Sequence, residues 1–520
     1  MPSLFSRALA LTFALLVSFD ASHRAAAQTA PEIRTPPASP SPSIHGPRVY
    51  GARPGHEFIY RIPCTGTRPM QFSAKGLPAG LKLDANTGII RGQSPQKPGH
   101  YPMTIKATNA LGKAERPFKL VVGDTLGLTP QMGWNDWYTF YTRPTDADIR
   151  GAADKLISTG MADYGYQFVD IDDAWEHRPG SQDPAFSGAA RNADGNILPN
   201  TRFPDMPALT AYIHSLGLRA GIYSSPGPLT CARFAASYGH EQADAAQIAK
   251  WGFDLLKYDM CSYGSLLKDR TNVDELKAPY IKMGALVQHL DRDVIFNMCQ
   301  YGMGESWKWA RLVGGSSWRT TGDVGLEKAS GLPPFYSIGF KNAVLDHYAG
   351  PGGWNDPDYL IIGVAGDAHN QNAPPHATTL TPDEQYSYMS MWSLMAAPLF
   401  FSGDMARLDP FTLNILENAE VIDVDQDSLG KQGRVVRRTA DDFVLAKPLE
   451  DGSIAVGLFN ISSAPLEVTV NLQDLGLSGD ARVRDIWKQQ DMGMQSGRLS
   501  ATIAPHGVLM VRVAGHKALT

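Results

Sequence analysis

A (β/α)8 barrel flanked by two β-sandwiches is the fold class that this 520-residue sequence predicts. Three changes of texture carry the prediction. Residues 47–123 show short alternating stretches punctuated by Gly and Pro. Residues 126–408 alternate short apolar strands with amphipathic helical stretches. Strand-like alternation returns over 409–520. A chain this long is expected to hold two or three domains.

The chain begins with a targeting pattern. Arg7 precedes the apolar run Ala8–Val17, and Ala25-Ala26-Ala27 offers small residues for cleavage, so 1–27 reads as a signal peptide. The run is too short to span a bilayer, and no cysteine near the cut would carry a lipid. The mature protein is expected to be secreted or periplasmic, without a membrane anchor. Residues 28–46 hold Pro31, Pro36, Pro37, Pro40 and Pro42 among Ser and Thr, which predicts an extended, poorly packed linker. Over 47–123, "FIYRI", "GIIRG", "YPMTIKAT" and "FKLVV" read as strands of a small β-sandwich. This stretch resembles the Ig-like modules of bacterial secreted enzymes. A spacer role is favoured for it over sugar binding.

Within 126–408 the candidate strands are "PQMGW", "YQFVDID", "LRAGIYS", "FDLLKYD", "DVIFNMC", "SWRTTGD", "GWNDPDY" and "APLFFSGD". Helical stretches fall between them, for instance Thr145–Met161 and His240–Trp251. Eight strands alternating with helices fit a barrel of about 250 residues. A doubly wound sheet is the runner-up, but no strand is followed by GxGxxG or a phosphate-binding loop. From 409 onward "SIAVGLFNIS", "LEVTVNL" and "GVLMVRVA" predict a closing antiparallel β-sandwich.

Hydrophobic content of 43% allows a large core, and a net charge of −5 without basic runs gives no reason to expect a nucleic-acid partner. The cysteines are Cys64, Cys231, Cys261 and Cys299. None forms a CxxC pair, so zinc has little support, and export makes them disulfide candidates. "DVDQDSLG" (423–430) begins like a calcium loop. It has Ser428 where the glycine belongs and Arg434 where the bidentate Glu belongs, so it reads as a turn. No cofactor or metal is expected.

Barrel enzymes carry their chemistry at the C-terminal ends of the strands. Strand alternation puts Lys257 and Asp259 on one face, and likewise Asp170 and Asp172, with Asp173 just beyond. Arg319 and Asp323 end the sixth strand, Asp356 and Asp358 the seventh. Trp134, Trp137, Trp175, Tyr223 and Trp354 lie among them. Metal-assisted hydrolysis usually brings histidines, and these motifs have none. Paired carboxylates with aromatic neighbours suit glycoside hydrolysis, where two acids flank the bond and others bind hydroxyls.

In order along the chain, "PQMGWNDW", "VDIDDAW", "GIYSSPG", "LLKYDMC", "WRTTGD", "GGWNDPDYLIIG", "MAAPLFFSGD" and "VIDVDQDSLGKQG" resemble glycoside hydrolase family 27, the α-galactosidase and α-N-acetylgalactosaminidase family. The match covers about 126–435. It implies double-displacement hydrolysis of a terminal α-galactoside, with Asp259 as nucleophile and Asp323 as acid/base. The same resemblance gives Trp137, Asp172, Asp173, Tyr223, Lys257, Arg319 and Asp358 as residues that hold the sugar, and Cys231–Cys261 as a disulfide at the pocket rim. After Cys299 the chain departs from the family with Gln300-Tyr301-Gly302, which the resemblance places beside the sugar's 2-substituent. Tyr359 replaces the usual Met or Leu. The reading is an exo-acting, retaining α-galactosidase. Its runners-up are α-N-acetylgalactosaminidase, β-L-arabinopyranosidase and a non-catalytic carbohydrate-binding protein, and the oligomeric state is left open, a homodimer included.

Overall fold

A computed structural model of the protein describes residues 31–325, 331–366 and 373–517. The expected signal peptide, 1–27, lies outside them.

Eight parallel strands make one curled sheet: β1 (Met132–Asn135), β2 (Phe168–Ile171), β3 (Arg219–Ser224), β4 (Leu255–Asp259), β5 (Ile295–Cys299), β6 (Ser317–Arg319), β7 (Trp354–Asp356) and β8 (Leu399–Phe401). Each pairs with its sequence neighbour, and β8 returns to β1. A parallel bridge between Leu360, just past β7, and Phe401 of β8 closes the ring. Seven of the eight strands fall inside the stretches expected to form them, and β1 runs one residue past its stretch, to Asn135.

The helices cover the outside. In α1 (Asp146–Thr159), Thr145 and Asp148 form a capping box, and Ile149, Ala152, Ala153 and Leu156 are buried at helical spacing. It is followed by α2 (Met206–Ser215), α3 (Glu241–Trp251) and α4 (Val273–Gln288). Only 3-10 turns, Ser306–Lys308 and Ala310–Val313, link β5 to β6. Then come α5 (Pro334–Ala343), α6 (Pro382–Leu394), α7 (Pro410–Leu416) and α8 (Ala419–Asp425). Phe411, Ile415, Leu416, Val421 and Ile422 of α7 and α8 join the barrel's core. The same core takes in Phe443, Leu445 and Val508, so it runs on past residue 408 into the sheets that follow. An antiparallel six-stranded sheet and a two-stranded one follow, packed around Val456, Leu458, Val468, Val470 and Val511.

Residues 49–122 form a four-stranded and a three-stranded sheet around Phe58, Tyr60, Phe72, Ile105 and Phe118. Arg292 reaches Glu57 at 2.6 Å, His56 reaches Asp293 at 2.8 Å, and Arg219 donates to the Ile59 carbonyl at 3.0 Å. Arg219 opens β3 and Asp293 precedes β5, so the module sits on the N-terminal end of the barrel.

The linker differs from expectation. Thr35 Oγ1 donates to the Asn414 carbonyl at 2.8 Å, the Arg34 guanidinium lies 4.3 Å from the Tyr386 ring centroid, and Ser43–Ile44 pairs as a strand with Cys64–Thr65. A proline-rich segment has few internal hydrogen bonds, and here its polar groups find partners on the surface beside it.

Candidate active site

The strand ends build a pocket of about 340 Å³ lined by Trp137, Tyr138, Asp172, Tyr223, Cys231, Lys257, Asp259, Tyr301, Arg319, Asp323, Asp358 and Tyr359. Pairing explains how distant residues meet there. Tyr223 of β3 is in register with Lys257 of β4, and Asp259 of β4 with Cys299 of β5. Side chains of alternate residues then point into the same mouth.

Asp172 anchors one wall. Its Oδ2 accepts from Lys257 Nζ at 2.7 Å, Asn135 Nδ2 at 2.9 Å and the Tyr359 hydroxyl at 3.0 Å. Its own N–H donates to Asp136 Oδ1 at 2.7 Å. Burial works against the Lys257 ammonium, but Asp172 overcomes it and holds the lysine above its usual pKa. Asp173 lies behind. Its Oδ2 accepts from Ala232 N–H at 2.7 Å, its Oδ1 has no partner, and burial pushes it up to about 7. Asp170 faces Gly221 so closely that a Cβ there would come within 2.0 Å of its Oδ1. A side chain at position 221 would displace the acid that lies beneath Asp172.

Arg319 organises the opposite wall. Its guanidinium lies 3.0 Å from Asp323 Oδ1 and 3.2 Å from Asp358 Oδ1. Asp358 Oδ2 accepts from Val324 N–H at 2.9 Å. Burial raises the Asp358 carboxyl, with Arg319 opposing.

Asp259 and Asp323 have contrasting surroundings. Asp259 is only 5% exposed, and burial raises it to about 6, with Lys257 and then Tyr301 pulling it down. The Asp323 side chain is 42% exposed, at the mouth. The Tyr223 hydroxyl stands 3.4 Å from Asp259 Oδ2 and 3.0 Å from Cys261 Sγ. Cys261 and Cys231 are joined, with Sγ atoms 1.99 Å apart. The bond ties the loop after β3 to the end of β4. Cys64 and Cys299 are buried free thiols.

Among the described residues, the one His/Cys/Asp/Glu cluster with metal-ligand proximity is Cys231, Asp259 and Cys261. Its two sulfurs are bonded to each other, so the cluster offers a cation a single carboxylate.

Ala174, Cys261, Tyr301 and Asp358, which follow β2, β4, β5 and β7, all have left-handed backbones, with φ of 83°, 33°, 55° and 88°. Such conformations are costly outside glycine and gather at functional sites. Here they ring one mouth.

Several expectations need correction. Gln300 does not reach the pocket. It is fully buried, and its amide donates to the Leu276 carbonyl of α4 at 3.0 Å. Cys299 points inward to Arg319, at 3.6 Å, so its neighbour turns outward to the helix layer and Tyr301 comes back to the mouth. Trp134, Trp175 and Trp354 are core residues whose indole N–H groups donate to the carbonyls of Gly403, Tyr223 and Gly127. Of the strand-end aromatics named from the sequence, Trp137 and Tyr223 line the pocket. Tyr138 and Tyr359, not singled out as site residues, line it too, and Asn135 and Asp136 brace Asp172. The signal for that bracing pair was their place at the end of β1.

A barrel with two differently buried carboxylates facing one small polar pocket has the design of a glycoside hydrolase. The family model described as "Alpha galactosidase A" matches residues 129–427, and "Alpha galactosidase C-terminal beta sandwich domain" matches 441–513. An Ig-domain model matches 41–123. The α-galactosidase of Cyamopsis tetragonoloba is 39% identical over 391 residues, which is 74% of this chain and 86% of the relative. A Bacteroides fragilis structure described as a candidate α-galactosidase/melibiase superposes with a TM-score of 0.84 at 37% identity, covering 93% of this chain and 99% of that one. α-Galactosidase I of Mortierella vinacea gives 0.67 at 27% identity, covering 76% and 100%. The chain belongs to the α-galactosidase family, glycoside hydrolase family 27.

Proposed function

We propose that the protein is an exo-acting α-galactosidase that works by double displacement. The observation that carries this reading is the buried Asp259 set against the half-exposed Asp323 in a pocket of about 340 Å³. A nucleophile acts on the anomeric carbon at the closed end, whereas an acid must meet the leaving group at the mouth. Relatives named α-galactosidase, matched over most of their length, support the choice of sugar.

The Asp259 carboxylate attacks the anomeric carbon and forms a glycosyl ester, while Asp323 gives its proton to the departing glycosidic oxygen. Asp323, now a carboxylate, takes a proton from water, which attacks the same carbon and releases Asp259 and galactose of retained α configuration. Asp172 and Lys257 would hold hydroxyls on one wall, with the buried Asp173 behind them, and Arg319 and Asp358 on the other. Trp137 and Tyr223 would supply aromatic faces, and Tyr301 with Cys231 would limit the space at the 2-position.

The test is a panel of aryl α-galactoside, aryl α-N-acetylgalactosaminide and aryl β-L-arabinopyranoside. The α-galactoside should be the best substrate, ahead of the N-acetyl analogue by at least about tenfold, or about 1.4 kcal/mol. Equal rates on those two contradict the reading.

Export fits the N-terminal sequence pattern and the paired cysteines. No helix among the described residues is long and apolar enough to cross a membrane. Thiol titration of denatured, unreduced protein should find two free thiols, the two unpaired cysteines. Finding all four would refute the bridge.

A further inference from the structure

Tyr301 belongs to the segment where this chain departs from its family, and it touches more of the machinery than a wall residue needs to. Its hydroxyl lies 3.4 Å from Cys231 Sγ, one end of the bond whose other end, Cys261, contacts the Tyr223 hydroxyl at 3.0 Å. Its ring lies 5.9 Å from the guanidinium of Arg319, the cation shared by Asp323 and Asp358. The local backbone is committed to this placement. Tyr301 has φ 55°, and at Gly302 (φ 77°) a Cβ would come within 2.3 Å of the Thr320 carbonyl oxygen. Tyr223 serves Asp259 Oδ2, while Asp259 Oδ1 is buried without a hydrogen-bond partner.

We propose that Tyr301 is a positioning residue for Asp259, its hydroxyl donating to the unpartnered Oδ1 while the Cys231–Cys261 bond and Arg319 fix its place. The inference rests on Asp259 being the nucleophile. Two tyrosines, one from β3 and one following β5, then hold the two carboxylate oxygens, and each is braced by one sulfur of the same disulfide. Tyr301 also links the walls, since its ring packs on the arginine that pairs with Asp323. Donation to the ionised form favours the carboxylate, the direction in which Tyr301 acts on Asp259 in the resting pocket. This hydrogen bond aims and ionises the attacking group, a role beyond shaping the space beside the sugar.

The test is Tyr301→Phe, which keeps the ring and removes only the hydroxyl, assayed on aryl α-galactoside across pH with its melting temperature checked against wild type. The expected result is a kcat lowered by about tenfold or more with KM changed less than about twofold, the effect of losing a hydrogen bond to a charged group. The acid limb of kcat/KM, which reports the free enzyme, should move to higher pH. Reducing the disulfide in folded wild-type enzyme should move the limb the same way. If Tyr301→Phe keeps the wild-type acid limb and changes only KM, Tyr301 is a substrate contact and the positioning role is overturned, while the α-galactosidase reading stands. If wild-type enzyme hydrolyses none of the aryl glycosides, both are overturned.

Discussion

Lys257 Nζ lies 2.7 Å from Asp172 Oδ2, so the lysine on the strand of Asp259 is bound to the acid of a neighbouring wall. Lys257 also shares a strand face with Asp259. It does lower the Asp259 pKa, but at longer range and against a larger burial effect. Lys257→Met would strand a buried Asp172 whose remaining side-chain donors are Asn135 and Tyr359. Removing one partner of a buried pair costs about 3–5 kcal/mol. The variant should lose at least about 100-fold in kcat/KM, and its acid limb should rise. A loss under threefold would show that Asp172 does not depend on the lysine.

As the proposed nucleophile, Asp259 should supply the pH dependence. Burial raises it to about 6 in the free enzyme. Attack needs the ionised form, so kcat/KM should fall about tenfold per pH unit below that value, well above the range of an ordinary aspartate. A profile flat down to pH 4.5 contradicts this.

Stability should carry a separate acid dependence from His45. The ring is buried, stacks on Tyr164 at 5.3 Å and shares a hydrogen bond of 2.8 Å with Thr65 Oγ1. Burial lowers its pKa from 6.5 to about 4, with Asp423 opposing and Arg116 adding to the fall. The unfolded chain therefore binds this proton more readily, and the stability present above pH 6.5 is lost as pH falls toward 4. Such a shift corresponds to about 3 kcal/mol. His45→Phe should lose less unfolding free energy than wild type between pH 6.5 and 4, by up to that amount. If denaturant titrations give wild type and His45→Phe the same loss of unfolding free energy between the two pH values, His45 is ruled out as the source.

Much of the site was legible because strands carry period-2 information. "FDLLKYD" already placed Lys257 and Asp259 on one face, and "YQFVDID" did the same for Asp170 and Asp172. What strand ends do next was not legible. Gln300 turns toward Leu276 because a residue past β5 can face either layer, and only the packing of α4 decides. Trp134, Trp175 and Trp354 sit in motifs beside the acids, yet each donates its indole N–H to a backbone carbonyl and fills core. Tyr359 was visible as an unusual residue. That its hydroxyl reaches Asp172 depends on the barrel closing so that the end of β7 faces β2, a contact between residues 187 apart. The linker misled for a similar reason, since its partners on α6 and α7 lie more than 300 residues away.

The division of labour between the two carboxylates is the central claim, and azide rescue tests it most directly. Asp323→Ala acting on a dinitrophenyl α-galactoside, whose leaving group needs no proton, should still form the glycosyl ester and then stall. Added azide should restore turnover and release galactosyl azide of retained α configuration, while Asp259→Ala stays essentially inactive under the same conditions. If azide instead leaves Asp323→Ala unchanged and yields α-galactosyl azide from Asp259→Ala, the two roles are reversed.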